Sequence, residues 1–204
     1  MILRLIREAL AKLHPPTETY RERIVRVAQG EVGTLQVGGN NRGPRVEEYL
    51  ASVGAKPGDP WCMAFAFWCC LQAALPKGTR VPRTGGAVRA FVRAQEREGL
   101  RWLYPDHPHI NEVDLTGWVI IWARNPDRVA TARNRRAPTE QHRFTSGHAG
   151  IVTSVDWTTG TISTIEGNTS PMRGFSADGA GVWEKQTTLN DPRIVGFFRP
   201  ELAS

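Results

Sequence analysis

A switch of hydrophobic period near Gly117 is what most restricts the folds open to this chain. Before it, apolar residues recur at helical spacing. Ile24, Val27 and Ala28 follow a Thr19-x-x-Glu22 capping box, and Val46, Tyr49, Leu50 and Val53 run up to Gly54. A third helix is expected from Cys62 to about Leu75, stopped by Pro76 and Gly78, and a fourth around Val88, Phe91, Val92 and Gln95 before Gly99. After Gly117 the pattern becomes that of strands, at 118–122, 149–155, 161–166, 182–187 and 194–199. Helices first and an antiparallel sheet second predict an α+β fold, with the helix that begins near Cys62 packed across the sheet. With 204 residues, 40% of them hydrophobic, one domain can bury a core without disulfides or structural metals.

The candidate chemistry begins at Gly58-Asp59-Pro60-Trp61-Cys62. Asp59 reads as an N-cap and Pro60 as the first helical residue, which puts Cys62 at the third position of the first turn. Unpaired N–H groups and the positive end of the helix dipole favour the thiolate there. Many cysteines at helix starts are inert, so the partners decide. A strand opening with His148, the turn Asp156-Trp157-Thr158-Thr159-Gly160 and a returning strand ending Glu166-Gly167-Asn168 form a hairpin. Its geometry sets Glu166 and Asn168 beside His148, where one imidazole nitrogen can be held and the other can face a thiol. Cys69 and Cys70 are expected to be free core thiols, since the three cysteines share one helix in positions unsuited to bridging. His107-Pro108-His109 beside Asp106 reads as a loop rather than a metal site, and no metal ligands are assigned.

Trp61-Cys62-Met63-Ala64-Phe65, Gly147-His148-Ala149-Gly150-Ile151-Val152 and Ile165-Glu166-Gly167-Asn168 resemble the three signature blocks of CHAP domains. These are the cysteine, histidine-dependent amidohydrolase/peptidases that cut bacterial peptidoglycan, and they belong with the NlpC-type, papain-like hydrolases. The resemblance runs from about 31 to 199. It implies Cys62 as nucleophile, His148 as general base, Glu166 as the group orienting the histidine, and Asn168 as a polar residue assisting the histidine or the oxyanion. The segment from Gly33 to Gly43, which contains Asn40, resembles a pre-catalytic stretch that borders the substrate groove in one branch of the family. Read from its residues alone it is a glycine-rich loop between two helices. Asn40 and Trp61 are the substrate-binding candidates near the thiol. The resemblance implies no required cofactor, although some relatives bind calcium. It implies an N-acetylmuramoyl-L-alanine amidase or a stem-peptide or cross-bridge endopeptidase, and the same fold could also serve a noncatalytic wall-binding or virion component.

A net charge of +6 suits a polyanionic partner: nucleic acid, anionic lipid or the acidic polymers of a bacterial wall. No nucleic-acid-binding motif accompanies the charge, and the resemblance favours peptidoglycan. The stretch 123–147 departs from the family pattern as a long basic insertion, with Arg124, Arg128, Arg133, Arg135, Arg136 and Arg143 against Asp127 and Glu140. It reads either as a mobile flap binding substrate through Arg133, Arg135 and Arg136 or as a solvated loop. Residues 1–16 read as an N-terminal helical extension to a catalytic domain at 17–204. Charges at Arg4, Arg7 and Glu8 interrupt any secretion signal, and no run is long enough for a transmembrane span. The expected setting is a monomer acting at the bacterial cell wall or periplasm after lysis or specialised secretion. A phage lysin, a wall-remodelling enzyme or an antibacterial effector would fit, with a delivery apparatus or immunity protein as further partners.

Overall fold

The computed structural model describes residues 18–96, 99–134, 146–171 and 180–203. Helix α1 (Tyr20–Gly30) starts on the expected capping box, with Thr19 accepting from the Glu22 N–H and Glu22 accepting from the Thr19 N–H. Helix α2 (Pro44–Val53) has proline in its first turn and ends at Gly54 in the left-handed conformation. Helix α3 (Cys62–Ala74) carries so many apolar residues that nearly its whole surface is buried. It has no side-chain cap at its start. At its far end α1 supplies the missing donors: Tyr20 donates to the Cys70 carbonyl (2.8 Å) and Arg23 to the Ala73 carbonyl (2.9 Å). Helix α4 (Ala87–Glu96) completes this layer.

The strands are β1 (Trp102–Leu103), β2 (Val119–Ala123), β3 (Gly147–Asp156), β4 (Thr161–Thr169), β5 (Gly181–Thr188) and β6 (Ile194–Phe198). Among the described residues they form one antiparallel sheet in the order β1-β6-β2-β3-β4-β5, so the predicted α+β architecture holds. The two-residue period of β2 divides the core. Val119, Ile121 and Ala123 join Ala149, Ile151, Ile165 and the helices on one face, while Ile120 and Trp122 join Val152, Ile162 and Phe197 on the other. Beyond β5, residues 33–36 add a further edge. Gly33 donates to the Val182 carbonyl (3.0 Å), Val182 to the Thr34 carbonyl (2.9 Å) and Gln36 to the Ala180 carbonyl (2.8 Å).

Three details depart from the sequence reading. Strand β1 is a short edge with too few residues to show a period. In the described portion of the insertion a 3₁₀ turn at Pro126–Arg128 leads into helix α5 (Val129–Arg133). Arg133 is accordingly an anchor within the fold. Its guanidinium donates to the carbonyls of Val195 (2.9 Å) and Ile194 (3.2 Å) and lies 4.7 Å from the Tyr104 ring centre. Arg135 and Arg136, like the N-terminal extension at 1–16, lie outside the described residues. Among the described residues no helix is long and apolar enough to cross a membrane.

Candidate active site

Cys62 is the first residue of α3, with Trp61 in the capping position. The start two residues later than expected has a local cause. The Asp59 carboxylate accepts the Lys56 N–H (2.8 Å), which closes a turn ahead of the helix and takes Asp59 out of the capping role. The thiol still sits in the first turn, where backbone N–H groups lack intrahelical partners.

His148 opens β3 and lies opposite Trp122 of β2, the two rings 5.6 Å apart and tilted by 35°. Its Nε2 is 2.8 Å from Oε2 of Glu166 on β4, which leaves Nδ1 to meet the Cys62 thiol, its other hydrogen-bond partner. The glycine at 150 makes this crossing possible, because a Cβ there would stand 2.8 Å from Glu166 Cγ and 3.4 Å from the Trp122 ring. The glycine at 167 serves the opposite face. A Cβ at that position would lie 2.7 Å from Phe65 Cβ and from the Trp61 ring, so its absence lets α3 press directly onto β4. The block Glu166-Gly167-Asn168 thus sends the carboxylate to one side of the sheet and admits the cysteine helix on the other.

Cys62, His148, Glu166 and Asn168 are all buried. Burial pushes the Cys62 thiol up, but the hydrogen bond and charge of His148, with the N–H groups of Ala149 and Met63, outweigh it and bring the thiol below its usual range. For His148 burial works against the charged form, yet the bonds to Cys62 and Glu166 prevail and raise its pKa to about 9. Both shifts favour a thiolate paired with an imidazolium at neutral pH, a proton distribution that belongs to the pair. Cys69 and Cys70 have no such partner, and burial pushes both thiols well above their ordinary range. At neutral pH iodoacetamide should therefore label Cys62 about a hundredfold or more faster than Cys69 or Cys70 in the folded protein. Peptide mass spectrometry over a time course measures the three rates, and equal rates would remove the case for an activated thiol.

The other sequence candidates fall differently. Trp61 is fully buried, its ring stacked 5.6 Å from Tyr49, so it supports the start of α3 instead of offering a face to substrate. Tyr49 also packs edge-on against Phe65 and Trp68 and donates its hydroxyl to Glu31. Of the adjacent asparagines, Asn40 is exposed in the turn while Asn41, at φ 55°, points inward. Asn41 donates from its backbone to Gln36 Oε1 (2.9 Å) and from its side chain to the Gly58 carbonyl (3.1 Å). Gln36 Nε2 in turn reaches Oδ1 of Asn168 at 3.4 Å. Asn168 is itself at φ 55°, a left-handed conformation that asparagine tolerates better than most side chains, and from the last but one position of β4 its amide meets this network. Gln36 and Asn41 lie in the segment that the resemblance sets at the groove, but the sequence reading singled out Asn40 there, and the contact of Gln36 with Asn168 spans a sequence separation of 132. Among the described residues no group of three or more His, Cys, Asp or Glu is arranged to hold a metal.

Comparison with known proteins identifies the family of the chain. Searches of curated proteins and of solved structures return no match. A family model for the CHAP domain matches residues 54–168, a stretch that covers more than half of the chain and contains the cysteine, the histidine, the glutamate and the asparagine. By that match this chain belongs to the CHAP domain family of cysteine- and histidine-dependent amidohydrolases.

Proposed function

We propose that this protein hydrolyses an amide bond of bacterial peptidoglycan by acyl transfer, acting at the cell wall. The observation that carries the reading is the buried line from Cys62 through His148 to Glu166 at the start of α3. The Cys62 thiolate attacks the amide carbonyl, and the backbone N–H of Cys62, unpaired because it opens the helix, donates to the oxyanion. The His148 imidazolium then gives its proton to the departing amine, after which neutral His148 draws a proton from water as it attacks the thioester and frees the acyl group. Glu166 holds the imidazole in line throughout. Asn168, Gln36 and Asn41 form the amide-lined wall that fixes the loop 33–43 beside the reacting groups. Membership of the CHAP family supports peptidoglycan as the substrate class.

The test is digestion of purified sacculi, with mass spectrometry of the released fragments. Stem peptides with a free L-alanine amine identify an N-acetylmuramoyl-L-alanine amidase, and new termini inside the peptide identify an endopeptidase. Release no greater than that given by Cys62→Ala would reject the reading.

A further inference from the structure

Glu166 has a second partner that belongs to none of the signature blocks. Thr164 precedes it by two positions on β4, so both side chains leave the strand on the same side. Its hydroxyl donates to Glu166 Oε1 at 2.7 Å, and it is 1% exposed. The Lys185 carbonyl lies 3.5 Å from the same hydroxyl. A threonine has one proton to give, and the shorter contact to a charged acceptor takes it. The carboxylate is thereby fixed at both oxygens, Oε1 by Thr164 and Oε2 by His148.

We propose that Thr164 is a positioning residue for the catalytic line, a fourth member that aims Glu166 at His148 and so sustains the Cys62 thiolate. The proposal rests on the acyl-transfer reading of Cys62. The need for it arises from a competitor. The Arg193 guanidinium acts on Glu166 electrostatically while its own bidentate bonds go to Asp191, at 2.9 and 2.7 Å. Without the hydroxyl, Oε1 loses a buried hydrogen bond and the carboxylate is free to turn toward Arg193. Either change weakens its hold on the imidazolium, and the thiolate loses its counter-charge. Cys62 reaches His148 from α3, His148 reaches Glu166 from β3, Arg193 approaches Glu166 from just ahead of β6, and Lys185 of β5 stands cross-strand from Thr164 with its ammonium on the Ser170 carbonyl (3.0 Å).

The test compares Thr164→Val, which keeps the shape and removes the proton, with Thr164→Ser, which keeps the proton. Iodoacetamide labelling of Cys62 across pH reads the thiolate without any substrate. Thr164→Val should lower its rate at neutral pH about tenfold and move the profile to higher pH, and Thr164→Ser should restore both to within about twofold. On solubilised peptidoglycan fragments kcat should fall by a similar factor with KM within about twofold. A labelling profile for Thr164→Val that matches the parent overturns the proposal, as does a serine variant that behaves like valine. Thr164→Ala gives the same readouts should valine prevent folding. If the parent cleaves no peptidoglycan, the substrate reading falls, while the labelling profile still decides the role of Thr164.

Discussion

Cys62→Ala and His148→Ala should each reduce hydrolysis by a factor on the order of 10⁴ or more, with circular dichroism spectra like that of the parent. Alanine at 62 removes the only nucleophile in the line. Alanine at 148 returns Cys62 to an ordinary buried thiol and leaves no acid for the departing amine. The same pairing predicts the pH response of the parent protein. His148 is raised from 6.5 to about 9, so its proton is retained through neutrality and lost as the pH climbs past about 9, where turnover should decline. On the acid side the sign reverses. The lowered Cys62 thiol regains its proton as the pH falls through its shifted value, and the nucleophile disappears. A pH–rate profile on one soluble substrate displays both limbs, and a rate that kept rising well beyond pH 9 would show that His148 does not supply the proton.

Gly167→Ala should destabilise the protein at the seam that joins the cysteine helix to the sheet. Its Cβ would stand 2.7 Å from Phe65 Cβ and the Trp61 ring and 2.8 Å from Phe65 Cγ, contacts that none of these fully buried rings can relieve by swinging into solvent. Helix α3 must lift from β4, at a cost of about 1 to 3 kcal/mol. Cys62 rides on that helix and His148 on the sheet, so the lift also opens the distance between them, and turnover should drop further than the melting temperature alone implies. Gly30→Ala is the control. No atom lies within 4 Å of a Cβ at position 30, and its stability should stay within about 0.5 kcal/mol of the parent. Thermal melts together with turnover well below the melting point separate the two effects. A fully stable and active Gly167→Ala would mean that the helix is not seated on this strand as described.

What could be read in the sequence was what local chemistry decides. The capping box at Thr19, the stop at Gly54 and the turn from Asp156 to Gly160 are contained within a few residues, and each is found where its pattern placed it. The hairpin then carried His148 to Glu166, since strand pairing converts a turn into a register. The errors occurred where a choice between neighbours depends on distant groups. Asp59 has the composition of a helix cap, but the Lys56 N–H claims its carboxylate. Asn40 and Asn41 are chemically identical, and the backbone angle at Asn41 determines which amide turns inward. Arg133 belongs to a basic run, yet it meets two β6 carbonyls brought near by a fold that the run does not encode. Thr164 was within reach, because the two-residue period of a strand already sets it on the side of Glu166.

The added edge formed by residues 33–36 bears on where this protein can be divided. The stretch matched by the family, 54–168, holds the reacting groups. Yet α1 and α2 precede it, β5 and β6 follow it, and the backbone bonds between Gly33, Thr34, Gln36 and the start of β5 lace those flanks together around it. A fragment trimmed to the family boundary would strip Tyr49 from the Trp61 ring and the α1 donors from the end of α3, leaving the cysteine on a bare apolar rod. For grafting onto a new targeting module, the piece that is moved must carry every element from α1 to β6, because the outer ones act as the mortar of the site rather than as tails to be pruned.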